Sequence, residues 1–200
     1  CPLPDDLRYV AGADLSFHKP DKLCFGAVVV LQLPELETVE TLTATAPLSY
    51  PYVPGLLTFR EGPVLVDIFS RLEHTPDVII FDGQGIAHPL KMGLAAHMGL
   101  WLNVPTVGCA NSRLVGEHDE PDAMKGSHVP LTRKEERIGD VLRTRTDVRP
   151  VFVSPGHLAD FRSSRELVLR CAPTYRLPEP TRRAHLSVSR FKKEFLADQS

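Results

Sequence analysis

The sequence predicts a mixed α/β fold in which an antiparallel three-stranded meander is followed by parallel strands, with helices flanking the sheet. Three observations predict this class. Three β-type segments follow one another closely within residues 9–46, the hydrophobic period then changes from two to that of a helix, and further short apolar segments alternate with helical ones. Short connections favour antiparallel pairing, whereas a helix between two strands favours parallel pairing.

The meander is predicted at Tyr9–Phe17, Cys24–Leu33 and Glu37–Ala46. The first segment alternates in character and places Asp14 on a face lined by small residues, which leaves room for a ligand. The second segment is rich in β-branched residues and is expected to be buried on both faces. The third follows a turn at Pro34 and contains many threonine and valine residues.

Beyond the meander the period becomes helical. Over Thr58–Leu72, apolar residues recur at helical spacing, and Glu61 falls on the same core-facing stripe. Val78–Asp82 is then a short buried strand that ends in an aspartate, and residues 116–125 form a polar loop. The order predicts a single domain over residues 1–200, with a ribonuclease H-like mixed sheet flanked by helices. The other predicted elements are helices at Lys91–Leu102, Leu158–Cys171 and Thr181–Leu196 and strands at Thr106–Ala110, Ser127–Leu131, Ile138–Arg145 and Pro150–Ser154.

The composition is that of an ordinary soluble protein, with 42% hydrophobic and 24% charged residues. No apolar run approaches the roughly 20 residues that cross a bilayer, and no secretory signal is visible, so we expect no membrane partner. The four cysteines are scattered, which argues against a disulfide framework or structural zinc and favours the reducing cytoplasm. Without a heptad seam or an apolar stripe, a monomer is expected, and an interaction protein is disfavoured.

Charge is unevenly distributed along the chain. Residues 1–150 contain 14 lysines and arginines against 20 aspartates and glutamates, whereas residues 151–200 contain 9 against 5. A basic C-terminal part suits a nucleic-acid partner, although a basic helix is more often only a solvated face.

Three carboxylates, Asp14, Glu61 and Asp82, lie at or beside predicted core elements, where an ionised carboxylate is unfavourable without compensation. Asp82 ends a strand, and ligands of open α/β sheets gather beyond the carboxyl ends of strands. Oxygen ligands without cysteine favour Mg²⁺, with Mn²⁺ as a substitute, over zinc. We therefore expect the three side chains to bind a divalent cation that, with phosphate oxygens completing its coordination, activates water and stabilises a leaving oxygen.

Structural interpretations compete with this hypothesis. Thr58 and Glu61 match a capping box, which would make Glu61 a helix-start residue. Pro63 disfavours that alternative, because a helix capped at Thr58 would need its missing N–H, and it predicts a later start. Asp14 and Asp82 are also acceptable as turn or strand-end residues.

Seven segments, in order along nearly the whole chain, resemble endonuclease V, the deoxyinosine 3′ endonuclease family. The resemblance implies a ribonuclease H-like fold and Mg²⁺-dependent DNA repair, with hydrolysis of the second phosphodiester 3′ to hypoxanthine (deoxyinosine) that leaves 3′-hydroxyl and 5′-phosphate ends. Its most specific parts read Phe-Arg-Glu-Gly-Pro and Asp-Gly-Gln-Gly-x-x-His-Pro. The segments are Val10–Phe17, Pro51–Pro54, Phe59–Pro63, Asp82–Pro89, Gly108–Leu114, Pro150–His157 and Arg176–His185.

By this resemblance Asp14, Glu61 and Asp82 match the family's catalytic carboxylates. His88 and His185 match histidines near its metal and scissile phosphate, where either is suited to move a proton. The alternatives are that His88 braces its loop and that His185 caps or packs a helix.

The resemblance also implies residues that recognise the lesion. Two prolines stiffen a loop whose aromatic residue inserts where a base leaves the stack, although such a segment alone is more often an extended turn. The glycine-rich loop after Asp82 is expected to shape the hypoxanthine pocket through backbone contacts. The lesion-binding residues expected are Pro51, Tyr52, Val53, Pro54, Gly83, Gln84, Gly85, Asn111 and Ser112.

One position departs from the family. Asn111 stands where the family usually has lysine, whose charge steadies developing negative charge, and Arg113 or Lys125 are possible substitutes. Two alternatives therefore accompany the leading hypothesis: an endonuclease that prefers inosine in RNA, and a protein that binds inosine-containing nucleic acid without cutting it.

Overall fold

The computed structural model describes residues 1–18, 20–48 and 57–198, apart from the side chains of residues 57–61. Within these residues one eight-stranded sheet has the order β3-β2-β1-β4-β5-β8-β7-β6. The strands are β1 Tyr9–His18, β2 Leu23–Gln32, β3 Glu37–Pro47, β4 Val78–Phe81, β5 Thr106–Ala110, β6 His128–Arg133, β7 Glu136–Leu142 and β8 Val151–Pro155. The helices are α1 Leu57–Ser70, α2 Leu94–Leu102, α3 Phe161–Arg170 and α4 Glu179–Ala197.

The sheet combines the two kinds of pairing that the sequence predicts. β1, β2 and β3 form an antiparallel meander, and β2 is buried along nearly its whole length. β1, β4 and β5 pair in parallel at the centre, because α1 and α2 carry the chain back between them. β8, β7 and β6 complete the sheet in antiparallel fashion.

Helix starts differ from the predictions. α1 begins at Leu57 with Pro63 inside it, so the expected later start was wrong, and the helix tolerates the missing N–H at an exposed proline. α2 begins at Leu94 rather than Lys91, which has a left-handed φ of 53°. α3 begins at Phe161, because the side chain of Asp160 caps the helix by accepting a hydrogen bond from the Ser163 amide.

Helices cover both faces of the sheet. α1 and α2 pack on one face, where Leu65, Ile68 and Met98 join Ala13 and Phe81 in a fully buried cluster. On the other face, α3 and α4 cover a second cluster that includes Val10, Ile80 and Val107. The two clusters alternate along each central strand, as the strand period requires. No helix in the part of the chain described here combines the length and the apolar character needed to span a membrane.

Candidate active site at the carboxyl ends of the central strands

Two aspartates meet at the centre of the sheet because of strand register. Ala13 of β1 pairs with Phe81 of β4, so Asp14 and Asp82 are the next residues on adjacent parallel strands. Neighbouring strands lie about 5 Å apart, and residues in register point to the same face. Ala13 and Phe81 pack under α1 and α2, so both carboxylates point to the face that α3 and α4 cover. The sheet therefore presents a carboxylate pair beneath α4.

The carboxylate pair has unfavourable electrostatics at Asp82. Burial, and after it the negative charge of Asp14, raises the pKa of Asp82 to about 6 against the opposing effects of His185 and Arg176. The carboxylate oxygens of Asp14 and Asp82 match the preference of a divalent cation for oxygen ligands. Among the described residues, which do not include the Glu61 side chain, no group of three or more His, Cys, Asp and Glu side chains is placed to hold a metal ion.

His185 completes the pair from α4. Its Nδ1 lies 2.8 Å from Oδ2 of Asp14; the Asp14 side chain is 13% exposed and the His185 side chain 62%. This contact requires α4 to lie directly on β1. Gly12 permits that approach, because a Cβ at Gly12 would collide with the backbone of Pro180 and Thr181 at the start of the helix. The imidazole is thereby held through Nδ1, while most of the side chain is exposed.

Asn111 follows β5 on the same face of the sheet and contacts an arginine. The Arg176 guanidinium donates to Oδ1 of Asn111 at 2.8 Å and to the backbone oxygen of Asn111 at 2.9 Å. It also donates to the carbonyls of Arg149 and Pro150, both at 2.8 Å. These bonds fix the guanidinium, whose positive charge lowers the pKa of Asp82. A cation is therefore present beside the position where the family usually has lysine.

The backbone of the loop after Asp82 is bonded to β8 and to the start of α2. The Gly85 amide donates to Oγ of Ser154, and the carbonyls of Gly85 and Gln84 accept from Gly93 and Ala95. These backbone groups of Gln84 and Gly85 are therefore engaged within the protein.

The Gln84 side chain has a different environment from the loop backbone. Its Nε2 donates to the carbonyl of Ser112 at 3.2 Å, which brings two of the predicted lesion-binding residues together. Its Oε1 is buried and has no hydrogen-bond partner among the described residues. A buried acceptor without a partner is unfavourable, and a ligand with a donor at this position would satisfy it.

The remaining predicted site residues have other surroundings. The described contacts of His88 lie beside the β6–β7 hairpin: its Nδ1 accepts from the Leu90 amide at 3.3 Å, and burial together with the charge of Arg133 lowers its pKa. Glu61 lies in α1, but its side chain is outside the described residues, as are Pro51–Pro54. Since α1 begins at Leu57, Thr58 lies inside the helix and is not its cap, contrary to the capping-box alternative.

Sequence reasoning missed Arg176 as a site residue. It begins the last of the family-like segments, yet neither spacing nor periodicity links it to Asn111, 65 positions away. The strand pattern places Gly12 on the same face as Asp14 but does not by itself predict its role. The signal for its role is a glycine two residues before a carboxylate on the same face of a strand, where a helix can approach closely.

Comparisons with known proteins agree with the fold and show the family. The profile of the Endonuclease V family matches residues 2–186. Endonuclease V of Trichormus variabilis is 49% identical over 176 residues, covering 88% of this chain and 80% of the relative. The crystal structure of endonuclease V from Streptomyces avermitilis superposes with a TM-score of 0.94 at 38% identity, covering 98% of this chain and 86% of that one.

A further neighbour is a complex. Endonuclease V of Ciona intestinalis, bound to a 24mer DNA that contains an inosine followed by a ribo-adenosine, is similar with a TM-score of 0.83 and 28% identity, covering 95% of this chain and 88% of that one. The predicted ribonuclease H-like fold is confirmed by these neighbours. The match over nearly the whole chain identifies a hydrolytic nuclease, and this protein belongs to the endonuclease V family.

Proposed function

We propose that this protein is a Mg²⁺-dependent endonuclease that recognises hypoxanthine in DNA and hydrolyses the second phosphodiester bond 3′ to the lesion. The observation that carries the proposal is the pair of half-buried carboxylates, Asp14 and Asp82, in register on adjacent strands with His185 above them. The family membership and the inosine-containing DNA bound by the Ciona relative support the substrate class.

Asp14 and Asp82 would hold the cation, and Glu61, from α1, would be the third ligand. The donor set fits Mg²⁺, because it consists of carboxylate oxygens and because the raised pKa of Asp82 reports uncompensated negative charge. When bound, Mg²⁺ supplies a Lewis acid that activates water and stabilises the leaving oxygen. Mn²⁺, with similar ligand preferences, is expected to substitute.

His185 supplies the site for a proton. With Nδ1–H donated to Asp14, the exposed Nε2 is an acceptor and takes a proton from the attacking water. The water oxygen bonds to phosphorus and the bond to the 3′ oxygen breaks. The water oxygen stays on the 5′-phosphate, and the 3′ oxygen leaves as a hydroxyl after taking a proton from solvent. His88 is the second proposed histidine, and it would act from the β6–β7 side of the site.

Arg176 and Asn111 together replace the lysine that the family usually has at position 111. Asn111 keeps a neutral amide beside the phosphate, and the fixed guanidinium supplies the positive charge. A fixed charge of this kind stabilises a developing oxyanion without reorganising during the reaction. This pair supports a working nuclease and argues against the alternative that the protein only binds inosine.

Lesion recognition is proposed for the loop Gly83–Gly85 with Ser112, and for Pro51–Pro54 as the wedge that holds the strand open. Hypoxanthine carries an N1–H donor where adenine carries a lone pair. The buried Oε1 of Gln84, without a partner among the residues described, is suited to accept from that donor. This contact would favour the deaminated base over adenine.

A second candidate substrate is inosine in RNA. The Ciona complex, with a ribo-adenosine directly after the inosine, favours it, since a relative accommodates a 2′-hydroxyl at that position. The same pocket would read the base in either nucleic acid, and the sugar next to it would set the preference.

A nicking assay tests the proposal. The substrates are duplexes that are identical except for one inosine or adenine, together with the matching RNA strand, each assayed with Mg²⁺ and with EDTA. We expect Mg²⁺-dependent cutting of the inosine DNA at the second phosphodiester 3′ to the lesion. A strong preference for the RNA strand would reassign the substrate, and binding without cutting under all conditions would favour the non-catalytic alternative.

The four cysteines form no disulfide among the described residues, which supports the reducing cytoplasm as the location. A monomer remains the proposed assembly.

A further inference from the structure

An exposed aromatic ring with a cation on one side lies next to the candidate active site. The guanidinium carbon of Arg182 is 4.2 Å from the centroid of the Tyr175 ring, and Tyr175 is 47% exposed. A ring of this size that remains half-exposed in the folded protein is available to a second planar group.

Arg182 is held in place by a buried carboxylate, that of Glu179. Nε and Nη2 of Arg182 donate to the two carboxylate oxygens of Glu179 at 3.1 and 2.8 Å, and Glu179 is buried. The same carboxylate accepts from Arg183, whose Nη1 also donates to Thr38 on the meander side. One carboxylate faces two guanidinium groups, so a positive charge remains beside Tyr175 to attract a phosphate strand.

The pair is joined to the candidate site on both sides. Arg182 precedes His185 by three residues on α4, which is about one helical turn, or about 5 Å. Tyr175 directly precedes Arg176, whose guanidinium binds Asn111. The ring therefore lies between the segment that carries Arg176 and the first turns of the helix that carries His185.

We propose that Tyr175 is a stacking platform for a nucleobase of the bound strand, next to the phosphate that is cut, with Arg182 stiffening the ring from its other side. The inference rests on the proposed function, because it assumes that a nucleic-acid strand crosses the carboxylate pair. Stacking on an aromatic ring accepts any base, since every base has a π-face, so the platform holds the strand without reading its sequence. It would favour a strand that is unpaired at this position.

Fluorescence of 2-aminopurine tests the platform directly. The probe is a set of oligonucleotides with one inosine and one 2-aminopurine, placed at each of the successive positions 3′ and 5′ to the inosine, with Ca²⁺ replacing Mg²⁺. We expect the wild type and Tyr175→Phe to quench the fluorescence at one of these positions. Tyr175→Leu keeps the apolar bulk without the π-face, so it should lose the quenching and weaken binding about tenfold.

The matched control is Leu100→Ala, because Leu100 is similarly exposed on α2, on the opposite face of the sheet. It should behave as the wild type. Quenching retained in Tyr175→Leu at every position, or quenching lost equally in Tyr175→Phe, would overturn the platform. Nicking of the inosine duplex by the wild type is scored separately: cutting without quenching rejects only the platform, whereas absence of cutting rejects the proposed function.

Discussion

Two aspartates in this sheet are shielded from solvent in opposite ways. Asp140, on β7 in the antiparallel end of the sheet, is 1% exposed, and its two oxygens accept from Arg137 at 2.6 Å and Arg165 at 2.9 Å. Asp82, at the end of β4 in the parallel centre, has a second carboxylate, Asp14, as its neighbour. The negative charge of Asp140 is compensated by two arginines of the protein, whereas the ionised form of Asp82 is destabilised further by the charge of Asp14.

This difference distinguishes a carboxylate that is buried for a structural reason from one that is buried for a functional reason. A buried carboxylate bracketed by arginines is satisfied by the fold and needs nothing more. A carboxylate whose pKa is raised by burial and by a like charge is not compensated by its neighbours, as expected of the cation-binding residue proposed for Asp82. The contrast can be tested by neutralising each aspartate in turn.

The largest effect is expected for Asp82→Asn. Removing the charge should reduce cutting of the inosine duplex by about a thousandfold, because a metal ligand contributes several kcal/mol of transition-state stabilisation. The free energy of unfolding without metal should stay equal or rise, because the repulsion with Asp14 disappears. Nicking rates and urea unfolding in EDTA measure the two effects. A large loss of stability would show that Asp82 is a structural residue instead.

Asp140→Asn should give the opposite result. The substitution leaves two guanidinium groups with a weaker partner, and breaking a buried ion pair typically destabilises by about 3–5 kcal/mol. We expect the lower end of that range, because the Arg137 side chain is 40% exposed and can be solvated. The specific activity of the folded fraction should be unchanged. If urea unfolding showed a change near zero, the two aspartates would not differ as described.

The fold could be predicted well from the sequence where short-range patterns determine it. β5 was predicted with its observed bounds at Thr106–Ala110, because a run of apolar residues between breakers has few alternatives. The helix starts were predicted less well, because they depend on single conformations, such as the left-handed φ of Lys91, and on caps such as Asp160. These features have weak signatures in composition or period.

In the candidate site, too, some features could be predicted from the sequence and others could not. Asp14 and Asp82 could be paired from the sequence, because each ends or interrupts a recognisable strand and parallel strands align their carboxyl ends. The arrangement of Arg176 with Asn111 depends on hydrogen bonds between distant segments, including two to backbone carbonyls, for which no residue type is needed. The sequence alone therefore predicts the aspartates of the site, its anionic half, but misses Arg176, which belongs to its cationic half.

That cationic half is the next point to test. Arg176→Gln should lower kcat about tenfold, less than the loss from a donor that contacts the transition state, with little change in KM. Asn111→Lys should restore part of the loss in the Arg176→Gln background, since it returns a cation to the same place. Arg145→Gln, at an exposed arginine, is the matched control. An equal loss in that control, or no loss in Arg176→Gln, would contradict the assigned role.

The smallest effect is expected at a second carboxylate compensated by arginines, Glu179. Burial alone would raise its pKa, but the hydrogen bonds from Arg182 and Arg183 lower it overall. A lowered folded-state pKa gives stability that is complete above the unfolded value of about 4.3 and is lost as the pH falls through the folded pKa. Glu179→Gln should therefore destabilise by about 1–2 kcal/mol at pH 7.

The pH dependence distinguishes this effect from a general loss of packing. The difference in unfolding free energy between wild type and Glu179→Gln should be constant from pH 7 to about pH 5 and should shrink below about pH 4. Glu194→Gln, on the same helix, removes an ion pair with Arg190 that is exposed on both sides, so its unfolding should match the wild type at each pH. A Glu179→Gln deficit that stays constant down to pH 3 would place the effect in packing and not in charge, and Glu179 would then no longer belong with Asp140.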